Sequence, residues 1–382
     1  MAVQLTRLAL SNWRNFRTVS VPLSQRTFVV GPNASGKSNL LDAILFLRDV
    51  AARGGGLVRA AHDRGGLEHI RSLHTNVGRV SIEVGVQVDL DPDEWGYLLE
   101  VSGAETKGDP LRVERERVTH GAEVLLDRSE SNERDPRTLI QTNLEQISQS
   151  LAFRPLADAL ASISHAHVVP QVARAPSRAE EASRCEAPGS DFIDQLARLS
   201  EGSQRQALRR IEELLKLAVP RFAELKVERD EHGRPHLEAR YEHWQRPGGW
   251  QSEREFSDGT LRFIGLLWSI DHGTDPLLLE EPELSLHRDV IRQLPRLFAR
   301  ASLRTGRQVI VSTHAEELIS DLGVDPSEIL ILSPSDGGTT VTLGSEREEL
   351  RLAAEARIPL GKVVTGITRP KDIEQLSLLT EN

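Results

Sequence analysis

Cysteine is all but missing from this 382-residue sequence, where Cys185 stands alone. A single thiol forms no internal disulfide and no cysteine cluster exists to hold zinc, so a reducing cytoplasm is the expected compartment. Aromatic residues make up 4 % of the chain and do not interleave with basic ones, which argues against a single-strand stacking surface. No apolar run approaches a membrane span, and Met1 to Arg7 lack the apolar core of a targeting signal, so no membrane partner is expected. Basic residues are outnumbered, 47 Lys and Arg against 57 Asp and Glu. Any attraction to nucleic acid must therefore come from a local patch. Heptads sustained over several repeats are absent too, which excludes long coiled-coil arms.

What is present centres on Gly31-Pro32-Asn33-Ala34-Ser35-Gly36-Lys37-Ser38-Asn39. Gly31, Gly36, Lys37 and Ser38 occupy the fixed positions of a phosphate loop. Glycines let successive backbone N–H groups face inward at a helix N-terminus, where the dipole favours an anion. Lys37 would reach the β- and γ-phosphates of ATP, and Ser38 would offer its hydroxyl to Mg2+. Arg26 to Val30 reads as a strand entering the loop, and Leu40, Leu41, Ile44 and Leu45 recur at helical spacing after it.

Ahead of the loop, Leu5–Leu10, Val19–Leu23 and Thr27–Val30 read as strands. The Gly- and Arg-rich stretch from Arg53 to Gly66 reads as loops rather than a packed element. Strand character resumes over Val80–Val88, Tyr97–Val101, Leu111–Val118 and Ala122–Leu126; Arg112, Arg115 and Arg117 alternate there with Glu114 and Glu116, as on a solvated strand face. From Pro136 to about Leu217 the pattern turns helical, with Leu139, Leu144, Ile147 and Leu151 spaced for one face. Arg174 to Pro188 breaks it as a surface loop or lid would.

A second chemical cluster begins at Ser257-Asp258-Gly259-Thr260, which on its own is also a common turn and helix-cap sequence. An apolar strand then ends in Glu280 and Glu281, paired so that one carboxylate can face magnesium while the other polarises an attacking water. Another apolar strand, Gln308 to Thr313, ends at His314.

Taken in order, these motifs resemble the phosphate loop, signature, Walker B and switch histidine of ABC-type ATPases. The opening Leu8 to Arg17, with its Asn-Trp-Arg-Asn turn, and the form Glu280-Glu-Pro-Glu-Leu-Ser-Leu-His287 resemble the OLD, RecF and SMC branch of that family. The resemblance implies that Arg14 lies near the nucleotide phosphates, that Ser257 and Gly259 bind the γ-phosphate held by an opposite subunit, and that His314 senses it. It leaves the glutamine loop unplaced. Asp258 stands where the signature has its first Gly, and Glu280 where relatives often carry Asp.

The expected fold is α/β: an ABC-ATPase-like P-loop fold with a mixed sheet, an antiparallel β subdomain and a helical insertion. The expected division is an N-terminal ATPase lobe over 1–79, the β subdomain over 80–130, the helical insertion over 131–220 and a C-terminal ATPase lobe over 221–382. The expected activity is Mg-ATP hydrolysis with Glu281, His314 and Lys37 as catalytic residues, Ser38 and Glu280 as metal ligands, and Gly31 to Asn39 with Arg14, Ser257 and Gly259 around the nucleotide. Phosphate loop and signature on one chain imply a homodimer closed by ATP. About 70 residues follow His314, too few for a Toprim nuclease domain. The expected partner is therefore a separate effector such as a Toprim-type nuclease, in anti-phage defence; the alternatives are RecF-like DNA binding in repair and an ATP-binding scaffold with little turnover.

Overall fold

A computed structural model describes residues 2–75, 77–89, 91–103, 111–129, 135–146, 148–174, 191–242 and 249–369. Along the chain lie strands β1 (Val3–Trp13), β2 (Phe16–Pro22), β3 (Arg26–Val30), β4 (Val80–Val88), β5 (Trp95–Ser102), β6 (Arg112–His120), β7 (Glu123–Ser129), β8 (Ser164–Ala166), β9 (Phe222–Arg229), β10 (Pro235–Tyr241), β11 (Trp250–Ser252), β12 (Leu277–Glu280), β13 (Val309–Thr313), β14 (Ile329–Ser333) and β15 (Thr340–Leu343).

They form three sheets, ordered β2-β1-β4-β5-β6-β7, β11-β10-β9 and β15-β14-β3-β13-β12-β8. The first is antiparallel throughout. Its β1 buries Val3 and Leu5, then Leu8 and Leu10. The change of parity falls where the register with β4 slips between Leu5 and Arg7, so a bulge returns the apolar residues to one face. In the third sheet β3, β8, β12, β13 and β14 run parallel and only β15 is antiparallel.

The parallel strands are apolar along their length because both faces are covered. Val29, Leu278, Ile310, Leu330 and Leu332 join the core shared with the first sheet and the helix Lys37–Ala51. Phe28, Val30, Leu277, Leu279, Val309, Val311, Ile329 and Ile331 face the second core, under the helices Asp258–Asp271 and Leu294–Thr305. The helix after the phosphate loop is thus held between two sheets. Gln308 fastens the layers further, its side chain accepting from Leu5 N–H at 2.8 Å and donating to Leu5 C=O at 2.7 Å.

Several local expectations change. The Gly- and Arg-rich stretch forms the short helices Leu57–His62 and Leu67–Ile70, which start at Gly56 and Gly66, and bury Leu57, Ala60, Ala61 and Ile70. Arg64, in the turn between them, pairs with Asp42 and Asp49 of the Lys37–Ala51 helix, both at 2.8 Å. Leu139 and Leu144 are buried while Leu151 is 76 % exposed, because 3-10 turns at Pro136–Ile140 and Gln149–Phe153 replace a continuous helix. Strands Val80 to Ser129 continue the sheet begun by β1 and β2, and residues 131–220 include β8, the edge strand beside β12. The sheet β9–β11 has no counterpart in the sequence reading. Beyond β15 the chain adds the helices Glu348–Glu355 and Leu360–Thr368, whose Leu350, Leu360 and Val364 are buried. Of the expected lid, 175–188 lies outside the described residues. Among the described residues no helix is long and apolar enough to cross a membrane.

Candidate functional site

Because β3, β8, β12 and β13 are parallel, their carboxyl ends share one edge. That edge is where open α/β sheets bind ligands, and it carries the phosphate loop after β3, Glu280 and Glu281 at the end of β12 and His314 after β13.

The loop is built to surround an anion. Gly36 (φ +97°) and Ala34 (φ +60°) are left-handed, and a Cβ at Gly31 would stand 2.7 Å from Ser35 Oγ and 2.9 Å from Leu332 O. The Ser35 hydroxyl is shielded from solvent with no hydrogen-bond partner. The helix Lys37–Ala51 has no acidic residue in its first turn, so its positive dipole end is uncompensated within the helix. Lys37 is buried, and its Nζ donates to Gly31 O at 3.0 Å and Pro32 O at 3.1 Å. Burial pushes its ammonium down, opposed by the charges of Glu281, Glu283 and Glu280. A phosphate chain fits this cradle, and the neighbouring hydroxyl and carboxylate fit the hard cation that accompanies it.

Ser38 Oγ donates to Glu280 Oε1. On the other side His165 Nε2 stands 3.8 Å from Glu280 Oε2, an ion-pair separation rather than a hydrogen bond, and His167 Nδ1 lies 3.3 Å from the Glu280 carbonyl oxygen. His165 above all, then Ser38 and the charge of His167, hold the Glu280 carboxyl at about 2 against the opposing effect of burial. Glu281 takes a left-handed backbone (φ +44°) and its N–H donates to Ser312 O at 2.9 Å. His314 Nδ1 lies 3.4 Å from Glu281 Oε1 and 3.6 Å from Glu283 Oε1. Lys37, Ser38, Glu280, Glu281 and His314 are therefore gathered at one edge.

A bracket behind the loop was not visible in the sequence. The turn between β1 and β2 brings Asn15 to the loop, where its Nδ2 donates to Ser35 O at 2.9 Å and Thr339 Oγ1 at 2.7 Å and its Oδ1 accepts from Asn39 Nδ2 at 2.8 Å. Thr339 Oγ1 also donates to Ser35 O at 2.9 Å, and Trp13 Nε1 to Asn39 O at 2.8 Å. Arg14 belongs to the same turn, but its guanidinium pairs with Asp42 at 2.5 Å, on the second turn of the helix. Asn15, Thr339 and Trp13 are the side chains of this bracket that bond to the loop backbone.

Ser257 caps the helix Asp258–Asp271, its Oγ accepting from Thr260 N at 3.1 Å. Asp258 pairs with Arg174 at 2.6 Å. A Cβ at Gly259 would overlap the carbonyl oxygen of Ser285, itself left-handed at φ +64°. Among the described residues neither Ser257 nor Gly259 bonds to the phosphate loop of its own chain; Gly259 is seated instead against the turn after Glu281.

A family described as "AAA domain, putative AbiEii toxin, Type IV TA system" matches residues 26–320, more than half of the chain. The chain belongs to this family. It is an ABC-type ATPase of the RecF and SMC-like branch. It is 34 % identical over 129 residues to the DNA replication and repair protein RecF of Brucella abortus (strain 2308), covering 33 % of this chain and 29 % of that one. It is 34 % identical over 95 residues to the chromosome partition protein Smc of a Synechococcus species, covering 24 % and 8 %. The matches thus span under a third of these relatives. Two solved Smc head domains share the fold at 15 % identity. One, bound to the C-winged helix domain of ScpA, has a TM-score of 0.56 with 88 % of this chain and 97 % of that one covered. The other, with an extended coiled coil and bound to the C-terminal domain of ScpA derived from Pyrococcus furiosus, has 0.54 with 93 % and 100 % covered. The phosphate loop, the Glu280–Glu281 pair and His314 thus follow β3, β12 and β13 in the chain order read from the sequence.

Proposed function

We propose that this chain hydrolyses Mg-ATP, closes as a homodimer when ATP is bound, and through that closure regulates a separate effector protein in the cytoplasm. The observation that carries the reading is the convergence of Lys37, the Ser38–Glu280 pair and the Glu281–His314 pair at one sheet edge. Residues 1–79 and 221–382 act as the two ATPase lobes, and 80–130 with 131–220 as the surface available to partners.

In this reading the N–H groups of Gly31 to Asn39 and the Lys37 ammonium hold the phosphates, while Ser38 and Glu280 hold the cation. Bound Mg2+ would neutralise developing charge on the transferred phosphoryl group. Glu281 orients a water and takes its proton, and His314 fixes the Glu281 carboxylate. Ser257 and Gly259, which among the described residues make no bond to their own phosphate loop, complete the site of a second copy.

The AbiEii wording of the family description supports an effector role in defence, with a Toprim-type nuclease as one candidate partner. The RecF relatives favour a second reading, direct DNA binding in repair. A phosphate-contacting interface would show DNA affinity falling steeply with salt, whereas the effector reading expects protein recovered in an ATP-dependent pull-down; DNA without protein would refute it. For the ATPase itself, Glu281→Gln should form a stable dimer in Mg-ATP with hydrolysis nearly abolished, and Lys37→Ala should bind nucleotide poorly. A monomeric Glu281→Gln in saturating Mg-ATP would sink the closure model, and hydrolysis equal in wild type and Glu281→Gln would sink the assigned water chemistry.

A further inference from the structure

Glu283 has no part in the site as read from its motifs, yet it is the most enclosed carboxylate near it, 5 % exposed. Its Oε1 accepts from Thr313 Oγ1 at 2.6 Å and from His314 N–H at 3.2 Å. The Thr313 hydroxyl in turn accepts from Ala315 N at 2.9 Å, so one carboxylate oxygen fixes three consecutive residues of the turn that presents the imidazole. Glu283 Oε2 is shielded from solvent and without a hydrogen-bond partner. A buried carboxylate is costly unless its bonds are useful elsewhere; burial accordingly raises its proton affinity against the bonds from Thr313 and His314.

We propose that Glu283 is a positioning residue for His314, coupling the turn after β12 to the turn after β13 so that the imidazole is presented with Nδ1 toward the two carboxylates. With Nδ1 facing Glu281 and Glu283 at 3.4 and 3.6 Å, Nε2 is the nitrogen left for a ligand. The same turn carries Glu281, whose N–H is bonded to Ser312 O. Displacing one turn therefore displaces the other, and His314 answers to the geometry of Glu281 rather than moving freely. This rests on the ATPase reading, and its test separates the two.

The full-length chain with 15N-labelled histidine is followed by NMR, the His314 imidazole being assigned by its loss in His314→Gln. In wild type Nδ1 is expected to be protonated; Glu283→Ala should shift that signal, and Thr313→Val, which keeps the carboxylate but removes the bridging hydroxyl, should shift it in the same direction. In turnover, Glu283→Ala should lower kcat on the order of tenfold or more while nucleotide Kd changes less than about threefold. Adding His314→Ala should then cost little more, because both changes remove one function. Glu283→Gln, which retains an acceptor oxygen, should recover most of the lost kcat. The proposal is overturned if the His314 signal is unmoved by Glu283→Ala, or if the kcat losses of Glu283→Ala and His314→Ala multiply. Where Glu283→Ala fails to fold, the same two criteria apply to Thr313→Val. A wild type without hydrolysis refutes the ATPase reading alone, since the NMR result still decides the positioning.

Discussion

The bracket formed by Asn15 makes a quantitative demand on Gly36. Asn15 has three hydrogen bonds to lose, to Ser35, Thr339 and Asn39. At about 0.5–1.5 kcal/mol each the ceiling is about 4.5 kcal/mol; Ser35 C=O keeps its bond from Thr339, so Asn15→Ala is expected to cost about 2 kcal/mol. Gly36→Ala incurs the left-handed penalty of roughly 1–2 kcal/mol at φ +97°. Its Cβ would also stand 2.6 Å from Asn15 Cγ and closer still to the amide atoms, so Asn15 must move and its bonds are lost as well, for about 3–4 kcal/mol in total. In the double variant the obstructing amide is gone and only the backbone penalty is added to the Asn15 loss. The expected cost is again about 3–4 kcal/mol, not the roughly 5–6 of independent sites. Urea unfolding of wild type, both single variants and the double variant gives the coupling directly, with nucleotide binding followed in parallel. Additivity within about 0.5 kcal/mol would show that Gly36 is required by backbone conformation alone.

Two further outcomes can be checked on the same unfolding assay. His236 on β10 has Nδ1 2.8 Å from Glu253 and Nε2 3.4 Å from Asp230; the Glu253 hydrogen bond, first among the causes, raises its proton affinity. A raised folded-state value stabilises fully below the unfolded value of about 6.5 and is lost as pH rises through the folded one. His236→Asn should therefore destabilise most in acid and progressively less toward pH 8, and a pH-independent cost would refute the pairing. Gly259→Ala must push the Ser285 carbonyl away, with an expected cost of about 1–3 kcal/mol and weakened ATP-dependent dimerisation; unchanged stability would mean that the two turns are not packed as described.

The chemistry was legible where it is contiguous. Gly31 to Ser38, Glu280 with Glu281, and His314 each follow an apolar run, and a strand end is the one place where such a run can deliver polar groups to a shared edge. The parallel core strands were legible for the same reason, being apolar on both faces. What escaped depends on distant pairing. Asn15 meets Thr339 across 324 positions, and His165 reaches Glu280 only because a three-residue strand, too short to show a period, pairs beside β12. Glu283 looks like any charged turn residue until β13 is placed next to it. The glycines at 56 and 66 misled because they start helices here instead of preventing them.

The position of β3 between β14 and β13 also sets a schedule for synthesis. The strand that ends in the phosphate loop is complete at Val30, yet both of its neighbours begin at or after Val309, about 280 residues later. At roughly 5–20 residues per second that interval is about 15–60 s. Throughout it Phe28, Val29 and Val30 have no sheet partner, and the strand's hydrogen-bonding edges are open to any other nascent chain. A ribosome stalled before β13 would hold a chain with its antiparallel sheet available to fold and its nucleotide loop without a scaffold, making the emerging chain a candidate client for a holding chaperone until the last strands arrive.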